Sequence, residues 1–80
     1  MKHVCITYHM NRPGEVAETC ITLPLDDAIA DDLLAHQERS AYVQDHERFS
    51  RLSIPGLLHQ LAALQGYDSA IFCCAEEARL

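Results

Sequence analysis

Residues 2–10, KHVCITYHM, alternate along the chain and are rich in β-branched and aromatic types. A period of two is the pattern of a strand with two unlike faces. Residues 15–24, EVAETCITLP, repeat the pattern. Between them lies NRPG, with Asn first and Gly last, a four-residue turn signal that predicts a β-hairpin. Pro24 is expected to end the second strand, because it has no N–H to give to a ladder.

The pattern then changes period. In LPLDDAIADDLLAHQER, Leu25, Ile29 and Leu33 are spaced by four, which is one stripe of a helix. Asp26 suits the N-cap, and Asp27, Asp31 and Asp32 sit toward the positive end of the helix dipole. Arg39 is placed near the far end, and the pattern allows the helix to run on through Ala41 and Val43 toward His46, against Ser40 and the β-branched Val43. Residues 44–52, QDHERFSRL, read as a charged connection, with Phe49 and Leu52 as its anchors to the core. A second helix is predicted from a Ser53 cap with Pro55 in the first turn. Leu57, Leu61 and Leu64 form its stripe, widened by Leu58 and Ala62, and Gly66 is placed to be its C′ residue. SAIFCCA, residues 69–75, is a short apolar block after a helix stop and reads as a third strand, with a terminal helix as the competitor.

The order ββααβ defines an α+β domain: a small antiparallel or mixed three-stranded sheet with two helices packed on one face. Residues 1–80 form a single small globular domain, with no repeat, linker or low-complexity segment.

If Asn11 and Gly14 close the turn, paired residues have numbers that sum to 25. Cys5 then faces Cys20, Met10 faces Glu15, His3 faces Thr22 and His9 faces Val16. His3, Cys5, Thr7, His9, Val16, Glu18, Cys20 and Thr22 share one face. Val4, Ile6, Tyr8, Ala17, Thr19, Ile21 and Leu23 share the other, which is more apolar and belongs under the helices.

Composition narrows the function. The chain is 49% hydrophobic and has no Trp, so its core is built from Leu, Ile, Val and Ala. A domain of 80 residues hides a modest share of its surface and often gains from a partner. Twelve acids against six bases give a net charge of −6, which weighs against direct nucleic-acid binding. The same charge suits a basic protein partner. Protonation of the five histidines near pH 5–6 would bring the net charge toward zero, so low solubility is expected there. The first ten residues lack the apolar run of a signal peptide, and no stretch reaches membrane-spanning length. An intracellular, cytoplasmic setting with reduced thiols follows as the expectation.

Three chemistries compete for the face that carries the thiols. Cys5, Cys20 and His3 are zinc-ligand types, with Cys73 or Cys74 as further donors. Their spacing lacks C-x₂-C and H-x₃₋₅-H, and adjacent Cys73 and Cys74 point to opposite faces in a regular strand. A Cys nucleophile beside His3 or His9 lacks an oxyanion hole or a Gly-rich elbow. Calcium-loop and phosphate-loop patterns are absent as well. The third reading needs no site at all: His3, Cys5, Thr7, Val16 and Cys20 form an interface. No cofactor is implied. The sequence therefore predicts a non-catalytic, acidic accessory module that dimerises through its sheet and binds a protein partner, with a Cys/His zinc or thiol-reactive face as the rival.

Overall fold

The computed structural model describes residues 1–39, 43 and 54–79, with the backbone alone at Pro55. Among these, the elements run β1 (Lys2–Arg12), β2 (Glu15–Leu25), α1 (Asp27–Ala35), α2 (Ile54–Leu64) and β3 (Ser69–Glu77). The strands form one open sheet in the order β2-β1-β3, and both pairings are antiparallel. The α+β class and the ββααβ order are as the sequence predicts. The C-terminal block is a strand. The charged stretch 44–52, its anchors Phe49 and Leu52, and the Ser53 cap lie outside the described residues.

The hairpin turns one residue later than expected. Arg12 pairs with Glu15, so Pro13 and Gly14 are the two central residues, and Gly14 has φ 78°. A type II turn has this form: proline supplies the first negative φ, and the second central residue needs a positive φ that glycine takes without strain. The paired numbers therefore sum to 27, not 25. Cys5 faces Thr22 and Thr7 faces Cys20, which corrects the expected Cys5–Cys20 pairing. A shift of two leaves the faces unchanged. Val4 and Ile6 are fully buried, and Tyr8 and Met10 nearly so, on the face assigned to the core.

Pro24 does not end β2, which continues to Leu25. The two-residue turn makes Arg12–Glu15 a hydrogen-bonded pair, and the bonded pairs then recur at every second residue. Pro24 faces His3 at one of the alternate positions, where the β2 amide points away from β1. Proline is tolerated there because β2 is an edge strand.

α1 begins after Asp26 as expected, with the Ala30 amide donating to the Asp26 carbonyl at 2.8 Å, although the Asp26 side chain makes no capping bond. Ala30 and Leu33 are its buried residues. The helix stops at Ala35 rather than running on toward His46. Gln37 has another use: its amide nitrogen donates to the Ala75 carbonyl at 2.6 Å, and its oxygen accepts from the Ala75 amide at 2.9 Å. Val43 packs against the core.

α2 centres its inward side on the Leu58 and Ala62 flank of the predicted stripe, with Leu57 and Leu61 half-buried. Ile54, Leu58 and Ala62, spaced by four, are its buried line, whereas Leu64 is 84% exposed. Its C-terminus closes as a Schellman motif: the Tyr67 amide donates to the Ala62 carbonyl and the Gly66 amide to that of Ala63. Gly66, at φ 86°, holds the left-handed C′ position assigned to it from the sequence. Tyr67 then receives the Arg12 guanidinium over its ring at 4.6 Å, which ties the helix exit to the hairpin.

The core is one cluster of even-numbered β1 residues with Ala30, Leu33, Ile54, Leu58, Ala62, Ala70 and Ala75. Residues from both helices thus meet the same side of the sheet. No helix among the described residues is long and apolar enough to cross a membrane.

Candidate functional site

The opposite side of the sheet is the candidate site. β1 contributes His3, Cys5, Thr7 and His9, and β2 contributes Val16, Glu18, Cys20 and Thr22. Val16 is 66% exposed and Ile71 on β3 is 60% exposed, so among the described residues no element packs over them. Along the centre, His9 faces Glu18 with an Nε2 to Oε2 distance of 3.5 Å.

β3 changes the picture. Thr7 pairs with Cys74 and Tyr8 with Phe72, so Cys73 is the extra residue of a β-bulge. Alternation breaks at this point. Ala70 and Ala75 are buried, and Phe72 is half-buried, while Cys73 and Cys74 are both exposed. The expectation that these two thiols face opposite sides is therefore corrected. All four cysteines lie on the side of the sheet opposite the core, a grouping that strict period-two counting hides.

The four thiols form two pairs rather than one centre. Cys5 and Cys20 are diagonal neighbours across the hairpin, within hydrogen-bonding reach of each other. Partial loss of water, then the adjoining Cys20 thiol, holds the Cys5 thiol above its ordinary range. Cys73 and Cys74 adjoin in the bulge, and loss of water followed by the Cys74 thiol raises Cys73 in the same way. Thr7 separates the pairs, flanked by Cys20 on one strand and Cys74 on the other. All four are free thiols. His3 stands apart, opposite Pro24, with its carbonyl accepting from the Ala78 amide at 2.8 Å. Among the described residues, no group of three or more His, Cys, Asp or Glu side chains is placed to hold a metal ion. The structure thus brings Cys5 to Cys20 but not to His3.

The acids of α1 are engaged elsewhere. Asp27 meets the N-terminal ammonium at 2.9 Å, and Asp31 meets Lys2 at 2.5 Å. Repulsion between Asp27 and Asp31, spaced by four, is thereby relieved by two cations at the start of the chain. The ammonium group holds the Asp27 carboxyl below its ordinary range.

The two edges of the sheet differ. The Ala75 amide and carbonyl point away from β1, and the Gln37 side chain takes both. β3 is therefore capped by a side chain that imitates a neighbouring strand. On β2, by the alternation set at the turn, Val16, Glu18, Cys20 and Thr22 direct their amides and carbonyls outward. No described residue bonds to them. No residue signal in the sequence marks this asymmetry, since it depends on where Gln37 is delivered by α1.

Compared with known protein families, curated proteins and solved structures, the chain shows no match. The fold defines the class: a small open-sheet α+β domain whose described helices contribute to a core on one side of the sheet.

Proposed function

We propose that this chain is a non-catalytic binding module that self-associates through its sheet and, as a pair, engages a protein partner. One observation carries the reading. A sheet with a packed core on one side exposes Val16, Ile71 and three of four thiols on the other, and apolar sheet surface in water is what association removes. The interface residues are His3, Cys5, Thr7, Val16 and Cys20, now joined by Ile71, Cys73 and Cys74 from β3. The net charge of −6 favours a basic protein as the further partner and speeds its encounter. Four unpaired thiols suit the reducing cytoplasm. Raised thiols are poor nucleophiles, which also supports a role without catalysis.

Sedimentation velocity from micromolar to millimolar protein tests self-association. A concentration-dependent dimer is the expected result, and a monomer throughout overturns the reading. Affinity capture from the native host tests the partner: a basic protein whose retention weakens with salt is expected, and capture that is independent of salt removes the charge argument.

The two-pair arrangement of thiols favours a second reading, a thiol-reactive face. A reagent that bridges two thiols, such as phenylarsine oxide, should bind at Cys5–Cys20 and be lost with Cys5→Ser or Cys20→Ser. Absence of binding to the unmodified protein removes it.

A further inference from the structure

The uneven edges of the sheet identify which strand joins the two copies. We infer that β2 pairs antiparallel with β2 of a second copy, across a two-fold axis at Cys20, to give one six-stranded sheet. This rests on the self-association proposed above and moves its seam from the exposed face to the β2 edge of the sheet. Three observations carry it.

The first is the backbone. β3 is closed by Gln37 at Ala75 and kinked by the bulge at Cys73, both devices that keep a strand from recruiting a neighbour. β2 has neither, and its outward amides and carbonyls from Val16 to Thr22 are unpartnered among the described residues. Pro24 limits this row at one end and Gly14 at the other. With Cys20 on the axis, Cys20 meets Cys20 of the second copy, and Glu18 meets Thr22 twice. These bonded pairs give about six backbone hydrogen bonds.

Charge is the second. Glu18 is the only charged side chain from Val16 to Leu25. Pairing about Thr19 would bring the two Glu18 carboxylates to adjacent positions, where like charges repel. Pairing about Cys20 moves them apart, each beside a threonine. The repulsion is thus absent when the axis lies at Cys20 or further along, and of these registers the one at Cys20 pairs the most outward groups before Pro24.

The third is apolar cover. α1 and α2 pack on β1 and β3, so Ala17, Ile21 and Leu23 on the inner side of β2 are only half-buried. In the inferred register Leu23 lies across from Ala17 of the second copy and Ile21 from Thr19. Both copies therefore extend the same core on the same side, with their helices on one face.

The test uses the whole chain. Thr22→Pro deletes one outward amide and leaves the β1–β2 ladder intact, as Pro24 already does two residues away. It should raise the dimer dissociation constant at least tenfold in sedimentation, with an unchanged circular dichroism spectrum. Cys20→Lys, which places two ammonium groups at the axis, should do the same, and it decides the matter if Thr22→Pro does not fold. In the variant Cys5→Ser/Cys73→Ser/Cys74→Ser, the short bifunctional reagent dibromobimane should link Cys20 to Cys20 and yield a covalent dimer. A folded dimer that both variants leave intact, with no link at Cys20, overturns the edge and leaves association through the bare face. A native protein that is monomeric throughout overturns both.

Discussion

Gln37 meets the backbone of Ala75 as a strand would, donating to its carbonyl at 2.6 Å and accepting from its amide at 2.9 Å. One residue thereby holds the turn after α1 against β3 and closes one side of the sheet. The open side is left to β2, and the inferred pairing of two copies follows from this imbalance.

Gln37→Ala should destabilise the domain by about 1–3 kcal/mol, because two backbone groups at a half-buried position lose their partners. Gln37→Glu should recover only part of this, since a carboxylate can accept from the Ala75 amide but cannot donate to its carbonyl. Urea denaturation checks the energy. Hydrogen exchange at the Ala75 amide checks the place: it should accelerate more than exchange at Ile6.

Leu58 and Leu64 belong to the same helix and should behave oppositely. Leu58 is fully buried and Leu64 is 84% exposed. Leu58→Ala should cost about 2–5 kcal/mol, enough to unfold a marginal domain. Leu64→Ala should change stability by less than about 0.5 kcal/mol. Equal thermal melting shifts would show that α2 turns another side to the sheet.

Asn11 carries a buried side-chain amide nitrogen that no group among the described residues accepts. A buried donor left in this way costs about 1–3 kcal/mol. Asn11→Val, which keeps a β-forming side chain and removes the donor, should leave stability unchanged or raise it by about 1 kcal/mol. A loss of more than about 1 kcal/mol in denaturant titration would mean that the amide has a role in the native fold.

Alkaline pH should weaken the fold. Desolvation raises Cys5, Cys73 and Tyr8, so the native state disfavours their ionised forms relative to the unfolded chain. Groups raised on folding contribute fully below their unfolded values, about 8.5 for a thiol and about 10 for a phenol, and the contribution is lost as pH rises through the folded values. The urea midpoint should therefore fall steadily above about pH 8.5. Cys5→Ser should flatten the first part of that decline.

The strands, the inward face of the hairpin and the glycine that ends α2 were legible because each rests on near neighbours in the chain. Val4, Ile6 and Tyr8 alternate with polar residues, and Gly66 is the glycine that follows the apolar run of α2. The register was legible too, but only on a closer reading of the turn: a proline followed by a glycine belongs at the two central positions, which moves every partner by two. The buried line of α2 was not. Leu57, Leu58, Leu61, Ala62 and Leu64 surround so much of the helix that periodicity allows several sides to face the sheet.

The sequence by itself determined the elements, their order and which side of the hairpin is greasy, since local backbone preference and alternation act over a few residues. Tertiary structure alone decided that Cys73 is squeezed out of the ladder, that four thiols from three strands share one side, and that Gln37 closes β3 while β2 stays open. Those outcomes depend on how β3, returning after two helices, fits its length against β1. That fit is set by packing between segments far apart in the chain, and no short window of residues contains it.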